Sequence, residues 1–262
     1  MNVALIQGKI FWEQPERNAA YYEKMLDRLS PSTQVVFFPE AFTTGFTMNL
    51  KKLHQLTSFP VEEWLLEKAL EKNVTIGAGA FVHEDGKFRN RFYWVEPNGR
   101  VEYYDKRHLF TFGGEPHIFT PGNKRVTVEK EGMRFNLQIC YDLRFPVWCA
   151  NRYEPRERRF DFDVQVFIAN WPAKRKDAYL PLLRARAVEN QAYVIWVNRV
   201  GRDGHKMVHS GDSRIIHPSG KVLALVKSNN EGILEYQLSE KELRKFRESF
   251  PVAPDWDKFE IL

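Results

Sequence analysis

Apolar and polar residues alternate along the chain in a repeating order of strand, loop and amphipathic helix. VALIQ at 3–7 is typical of a strand, and ERNAAYYEKMLDRL at 16–29 has apolar residues at helical spacing. QVVFFPEAF at 34–42 is a nearly continuous apolar run, which predicts a strand buried on both faces. VEEWLLEKALEKN at 61–73 predicts a second helix, and VTIGAGAFV at 74–82 a third strand.

The second half of the chain continues this order and adds hairpins. Glycine-containing turns predict hairpins around 97–99, 131–132 and 218–220. The other predicted elements are a strand at 163–171, a helix at 180–192, a strand at 193–201 and a serine-capped surface helix at 239–250. Strands that alternate with helices in this way predict an α/β layered domain.

The length and composition agree with one such domain over residues 1–262. A chain of 262 residues that is 43% hydrophobic can bury a sizeable core and lies near the upper size of a single domain. Linkers, internal repeats and low-complexity segments are not apparent. The N-terminal stretch lacks a basic leader, and no run approaches the eighteen apolar residues of a membrane span, so we expect a soluble, cytoplasmic protein that does not bind membranes.

Charge and cysteine content exclude several classes of function. The formal net charge is +5, and its basic patches, such as RYEPRERR at 152–159, are typical of a solvated face and not of a nucleic-acid-binding module. Two cysteines nine positions apart, outside any CxxC pair, predict reduced thiols. His205 and His209 lie in a predicted solvent-exposed loop without a HExxH pattern, so we expect no metal site there. GAGAF at 77–81 lacks a phosphate-binding pattern, and close backbone packing is the simpler reason for its glycines.

Three polar residues each follow an apolar strand, where side chains from neighbouring strands can converge. Glu40 follows VVFFP, Lys106 follows VEYYD, and Cys140 follows FNLQI. Loops beyond strand ends are where α/β proteins usually build their sites. The sequence therefore predicts a site that contains all three residues.

The chemistry of these three residue types fits acyl transfer. A thiol needs a base or a positive neighbour to act as a nucleophile. Glu40 could take the proton of Cys140, pass it to a leaving amine and later activate water. Lys106 and the backbone N–H of Tyr141 could bind the developing oxyanion.

The segments around these residues resemble the signature segments of the nitrilase, or carbon–nitrogen hydrolase, superfamily. They are FFPEAFTTGF, YDKRHLF and ICYDLRFP, in that order, and NWP, RARAVENQAYV and GDSRIIHPSG extend the likeness over essentially the whole chain. The resemblance implies a four-layer αββα sandwich, a Glu40–Lys106–Cys140 triad, and hydrolysis of an amide or nitrile through a thioester without a cofactor or metal. It also implies a homodimer or larger homo-oligomer, and Glu115 aligns with a second glutamate that supports the lysine and the reacting water.

Within this superfamily the chain is most similar to the omega-amidases, which hydrolyse the terminal amide of alpha-ketoglutaramate or alpha-ketosuccinamate. A small-molecule amide that carries a carboxylate would suit a basic pocket wall, for which Arg144, Lys174 and Arg175 are candidates. The aromatic residues beside the signatures could shape the pocket or belong to the core; they are Phe42, Phe46 and Trp171.

Other residues near the signatures have structural explanations. Asp142 and Arg144 could hold the turn after Cys140 or contact the substrate, and Cys149 is expected to be structural. The C-terminal PVAPDWDKFEIL could pack on a partner subunit or on its own domain.

Three alternatives to an omega-amidase remain open: another amide or N-carbamoyl-amino-acid hydrolase, an acyltransferase, and a catalytically silent binding protein on the same fold.

Overall fold

The computed structural model describes residues 1–261, and its elements follow the predicted order closely. The strands, in chain order, are β1 (Asn2–Gln7), β2 (Val35–Phe37), β3 (Thr75–Glu84), β4 (Lys87–Val95), β5 (Val101–Asp105), β6 (Thr127–Lys130), β7 (Met133–Ile139), β8 (Tyr153–Glu154), β9 (Arg159–Phe160), β10 (Val164–Ala169), β11 (Tyr193–Asn198), β12 (Val200–Arg202), β13 (Val208–Ser210), β14 (Arg214–Ile216), β15 (Val222–Leu225) and β16 (Gly232–Gln237). The α-helices are α1 (Pro15–Leu26), α2 (Leu50–Leu56), α3 (Val61–Lys72), α4 (Pro146–Cys149), α5 (Lys176–Glu189) and α6 (Glu240–Ser249).

Two six-stranded sheets of similar design form the centre of the molecule. The first has the strand order β16-β1-β2-β3-β4-β5, and the second β15-β14-β11-β10-β7-β6. In each sheet three neighbouring strands are parallel, namely β1, β2 and β3 in the first and β7, β10 and β11 in the second, and antiparallel strands flank them on both sides. The two sheets therefore each bring the carboxyl ends of three parallel strands to one edge.

The sheets face each other across a core of large apolar side chains. The ring of Phe135 on β7 lies 6.4 Å from that of Phe37 on β2 and 5.2 Å from that of Trp94 on β4, centroid to centroid. All three side chains are fully buried. Burying one such side chain contributes about 1.5–3 kcal/mol to stability, so this core holds the two sheets together face to face.

Helices cover the outer faces of both sheets. Tyr22 of α1 and Leu65 of α3 are buried in an apolar cluster with Val36 of β2 on the first sheet. On the second sheet, Tyr179 of α5 stacks on Trp196 of β11 with ring centroids 4.9 Å apart. The predicted four-layer αββα sandwich is confirmed. Within residues 1–261, no helix is long and apolar enough to cross a membrane.

The local predictions that differ from the structure have simple physical causes. Strand β2 ends at Phe37 instead of continuing to residue 42, because Pro39 has no N–H to donate to a neighbouring strand. Helix α2 is short and was not predicted from the hydrophobic pattern. The segment 200–210, expected as a solvent-exposed loop, is instead the β12–β13 hairpin, and His209 on it is buried.

Candidate active site

Glu40, Lys106 and Cys140 meet between the two sheets, where the sequence predicts them. Each lies just beyond a strand: Glu40 after β2, Lys106 after β5 and Cys140 after β7. Lys106 Nζ donates a hydrogen bond of 2.9 Å to Glu40 Oε1, and both side chains are buried. Cys140 is 9% exposed and lines a cavity that it shares with Lys106.

The position of Glu40 depends on a glycine in the neighbouring strand. A Cβ atom at Gly79 of β3 would lie 2.7 Å from Glu40 Cα and 2.6 Å from Ile168 Cδ1, which is too close for an ordinary contact. The next residue, Ala41, has a φ of 51°, and Phe42 N–H donates to the Gly79 carbonyl at 2.8 Å. The turn that carries Glu40 thus packs directly against the backbone of Gly79, where a side chain would not fit. This confirms the packing explanation for the glycines at 77–81.

A second carboxylate, Glu115, completes the charged cluster around Lys106. Lys106 Nζ lies 2.9 Å from Glu115 Oε2, and that oxygen also accepts the Phe110 N–H at 2.6 Å. Asn90 on β4 donates from Nδ2 to Glu40 Oε1 and to Glu115 Oε1, at 2.8 Å each. Sequence analysis missed Asn90, because it lies between Arg89 and Arg91 in a charged part of β4 and its burial is not visible in the sequence.

The charges in this cluster fix its protonation. Burial alone would lower the pKa of Lys106, but the adjacent Glu115 and Glu40 outweigh burial and raise it, so the side chain is an ammonium. Burial and the neighbouring Glu40 raise the pKa of Glu115, while Lys106 opposes that change. One ammonium therefore faces two carboxylates, and the cluster can accept a proton.

Cys140 is a protonated thiol in this environment. Burial and the carboxylate of Glu40 raise its pKa well above the usual value, and Lys106 and the backbone N–H of Asn170 oppose this rise only in part. The same N–H of Asn170 donates to Glu40 Oε2 at 2.8 Å. A neutral thiol needs a base to take its proton before it can act as a nucleophile, and Glu40 is the carboxylate beside Cys140.

The backbone at Cys140 is held in an unusual conformation. Its φ is 45°, a left-handed value that a non-glycine residue adopts at a cost of about 1–3 kcal/mol, and a 3₁₀ turn over Cys140–Arg144 follows directly. Tyr141, whose N–H is the predicted oxyanion donor, lies in this turn and lines the cavity. The turn lifts the thiol off the end of β7 and towards the cavity.

The cavity over Cys140 has a volume of about 210 Å³, which fits a small molecule. Besides Cys140 and Lys106, six residues predicted near the site line it: Phe46, Tyr141, Arg144, Trp171, Lys174 and Arg175. Phe42 does not. Its ring packs against those of Tyr22 and Phe38, because the left-handed turn at Ala41 directs it into the core under α1 and α3.

Two arginines give the cavity a basic wall. The guanidinium of Arg144 lies 5.1 Å from the ring centroid of Trp171, and that of Arg175 lies 5.1 Å from the ring centroid of Phe110. Burial and the nearby Arg144 lower the pKa of Arg175. Among the side chains of residues 1–261, neither guanidinium has an ion-pair or hydrogen-bond partner, so both can bind an anion in the cavity.

The β12–β13 hairpin forms a wall of the cavity that sequence analysis did not find. Asp203, His205 and His209 line the cavity from this hairpin. A Cβ atom at Gly204 would lie 2.3 Å from the indole of Trp12, which shows how closely the hairpin tip packs there. Burial and Arg199 lower the pKa of His209 to about 4, so this imidazole is neutral near pH 7.

The sandwich fold, with a thiol, an ammonium and two carboxylates at one edge, defines the class of α/β hydrolases that act on carbon–nitrogen bonds. The carbon–nitrogen hydrolase model matches residues 2–248. The chain is 38% identical over 261 residues to the omega-amidase YafV of Escherichia coli K12, covering 100% of this chain and 98% of that protein. It is 31% identical to the 2-oxoglutaramate amidase of Bacillus subtilis, covering 97% of this chain and 96% of that protein.

Solved structures give the same result. A CN-hydrolase superfamily protein from Xanthomonas campestris, with an arsenic adduct in its active site, superposes with a TM-score of 0.95 at 37% identity, covering 100% of this chain and 99% of that one. Nit3 of Saccharomyces cerevisiae shares the fold, with a TM-score of 0.81 at 22% identity, covering 97% of this chain and 95% of that one. The chain belongs to the carbon–nitrogen hydrolase family, and the predicted resemblance is confirmed.

Proposed function

We propose that the protein is an omega-amidase that hydrolyses the terminal amide of a 2-oxo dicarboxylic acid monoamide, with Cys140 as the nucleophile. The observation that carries this proposal is a neutral thiol beside a buried carboxylate–ammonium pair, at the base of a cavity with an arginine wall. The similarity to an omega-amidase and a 2-oxoglutaramate amidase supports the same substrate class.

In the acylation half of the reaction, Glu40 accepts the Cys140 proton as Sγ attacks the amide carbonyl carbon. The carbonyl oxygen becomes an oxyanion, which the Lys106 ammonium and the Tyr141 N–H stabilise. The C–N bond then breaks, Glu40 returns the proton to the leaving nitrogen, and ammonia departs. A thioester on Cys140 remains.

In the second half, Glu40 takes a proton from water and the oxygen attacks the thioester carbon. The C–S bond breaks, the proton returns to Cys140, and the dicarboxylate leaves. Glu115 does not touch the substrate in this scheme. It keeps Lys106 charged and shares Asn90 with Glu40, which holds both carboxylates in place.

The basic wall explains why a carboxylate at the far end of the substrate would be favoured. Arg144 and Arg175 have no carboxylate partner among the described side chains, and a second negative charge on the substrate would supply one. Lys174 adds a third basic side chain to this wall. A simple aliphatic amide has no carboxylate to pair with these cations. Less binding energy would then be available to lower the barrier to acylation.

The test is ammonia release from alpha-ketoglutaramate, glutamine, an N-carbamoyl-amino acid and an aliphatic amide, with Cys140→Ala as the blank. We expect rapid, Cys140-dependent release from the keto-amide, and a higher KM for that substrate in Arg175→Gln. Turnover of an N-carbamoyl-amino acid instead would support Cys140 as the nucleophile but contradict the proposed substrate class. Release that persists in Cys140→Ala would refute the mechanism.

Two further properties belong to this proposal. We infer a homo-oligomer, at least a dimer, from the family resemblance, and light scattering of the purified protein measures it. Two free thiols are in keeping with a reducing cytoplasm.

Hydroxylamine added to the assay separates hydrolysis from acyl transfer, because a hydroxamate forms only if an amine can reach the thioester.

A further inference from the structure

The carboxylate of Asp142 connects the two chain segments that carry Lys106 and Cys140. Its Oδ2 accepts the Tyr104 hydroxyl at 2.8 Å and the Ile139 N–H at 3.0 Å. Its Oδ1 accepts the His108 N–H at 3.0 Å and lies 2.8 Å from His108 Nδ1. The side chain is fully buried, so four donors from two segments satisfy one shielded carboxylate.

The donors lie at fixed steps from the reacting side chains. Tyr104 and His108 stand two residues before and two residues after Lys106, and Ile139 directly precedes Cys140. Lys106 follows a strand of the first sheet, whereas Cys140 follows a strand of the second. A shift of Asp142 would therefore change the separation between the ammonium and the thiol.

The surrounding side chains hold these donors rigidly. The ring of His108 stacks on that of Phe145, with centroids 3.7 Å apart and planes inclined by 6°. The Tyr104 hydroxyl also accepts from Trp148 Nε1 at 3.1 Å. Both aromatic partners follow the Cys140 turn in the chain, so the turn is joined to the lysine segment by packing as well as by hydrogen bonds.

We propose that Asp142 is a positioning residue, with His108 as its outer support, that sets the placement of Lys106 relative to Cys140 for the transition state. Its contacts stabilise the left-handed turn at Cys140 through the Ile139 N–H, and they fix the lysine segment through Tyr104 and His108. Catalytic groups must be placed within a fraction of an ångström, and a misplacement of about 1 Å can cost on the order of a hundredfold in rate. The inference rests on the proposed amidase activity.

An asparagine at position 142 cannot replace the carboxylate. Each oxygen of Asp142 accepts one backbone N–H, that of His108 on Oδ1 and that of Ile139 on Oδ2. In either orientation, the amide NH₂ group of an asparagine would face one of these buried donors. One backbone N–H then loses its acceptor, and the contact on that side opens.

The first experiment compares Asp142→Asn with a matched control, Asp163→Asn. Asp163 is also a buried carboxylate, paired with Arg134 and Arg247 and outside the cavity. We expect both variants to lose Tm, but only Asp142→Asn to lose kcat, by about tenfold to a hundredfold with a nearly unchanged KM. A loss of Tm with an unchanged kcat in Asp142→Asn would mean that the residue is merely structural.

A second pair of variants keeps the test informative if Asp142→Asn does not fold. His108→Phe keeps the stacking on Phe145 and removes the Nδ1 donor, whereas His108→Asn restores a donor near that position. We expect kcat to fall in the first variant and to recover in part in the second. Equal kcat values for both variants and the wild type would overturn the role of His108 as support.

Iodoacetamide labelling of Cys140, followed by peptide mass spectrometry, separates this inference from the proposed function. We expect labelling to slow in Asp142→Asn, because the thiolate loses the nearby Lys106 ammonium, and to keep its rate in Asp163→Asn. If the wild type hydrolysed no amide at all, the proposed function would fail while this comparison still tested the positioning role. Equal labelling rates in all three proteins would contradict it.

Discussion

Lys106 Nζ lies 2.9 Å from Glu40 Oε1, and both side chains are shielded from solvent. The pair is not an isolated salt bridge, because the same ammonium also contacts a second carboxylate at 2.9 Å. The excess negative charge leaves room for one more proton in the cluster. A lysine that stays charged and a glutamate that can accept a proton are thus held side by side.

Replacing Lys106 by methionine should remove both the oxyanion donor and the counter-charge. We expect kcat to fall by about a hundredfold to a thousandfold and the free energy of unfolding by about 3–5 kcal/mol, since two buried carboxylates lose their partner. Lys68→Met is the matched control. Lys68 is also buried beside carboxylates, but it lies outside the cavity, so its loss should lower stability and spare kcat.

The stability loss in Lys106→Met should depend on pH. Burial and Glu40 raise the pKa of Glu115, and Lys106 opposes this more than the hydrogen bonds from Asn90 and the Phe110 N–H do, so the pKa rises further in the variant. A carboxyl whose folded pKa exceeds its unfolded value contributes stability below the unfolded pKa and loses it as pH rises through the folded pKa. The Tm deficit of the variant should therefore shrink on acidification. A deficit that grows at low pH would contradict this assignment.

Glu40→Gln should make the thiol more reactive and the enzyme less active. Glu40 raises the pKa of Cys140, so its neutralisation lets Lys106 stabilise the thiolate at a lower pH. Turnover should nevertheless collapse, because the proton acceptor is gone. The measurement is the pH profile of Cys140 labelling beside kcat. A profile that moves to higher pH would show that Glu40 does not act on the thiol in this way.

Gly79→Ala should displace Glu40 although it replaces no charged side chain. The added methyl would meet Glu40 Cα at 2.7 Å and Ile168 Cδ1 at 2.6 Å, and overpacking of this kind typically costs about 1–3 kcal/mol. We expect a lower Tm together with a loss of kcat. Gly86→Ala is the control: its φ of 70° makes alanine unfavourable, but the site is open, so Tm should fall and kcat should not.

The two cysteines should differ sharply in labelling. Cys140 lines the cavity, whereas Cys149 is fully buried outside it, with Sγ 3.2 Å from the Asp142 carbonyl oxygen. Iodoacetamide should modify Cys140 in the folded protein and Cys149 only after denaturation. A peptide map with Cys149 labelled first would exclude Cys140 as the accessible thiol.

The parts of the structure that sequence analysis predicted are those that local chemistry determines. Gly99, Gly132 and Gly220 have positive φ values and lie in the predicted hairpin turns. Ser239 caps its helix by accepting the Glu242 N–H at 3.1 Å, as its position before an acidic first turn indicates. The placement of site residues after strands was equally visible, since a polar residue after an apolar run is a local pattern.

The parts that sequence analysis missed depend on contacts between distant segments. Asn90 reaches Glu40 and Glu115 only through the course of β4 and the loop after β5, which no local period encodes. The sequence left Phe42 open as a pocket residue or a core residue, and the positive φ at Ala41 directs its side chain into the core. His209 is buried only because the β12–β13 hairpin folds over the cavity.

The pairing of β1 with β16 has a consequence for how this chain acquires its chemistry. Asn2 lies opposite Gln237 and Gln7 opposite Gly232. The first sheet is therefore complete only when strands about 230 residues apart in the sequence have paired. Contacts of such long sequence separation slow folding, because loop closure must precede the contacts that reward it. Lys106 follows a strand of this sheet and Cys140 follows a strand of the other, so we expect the thiol to take on its proposed role as nucleophile only late in folding, when both sheets have formed.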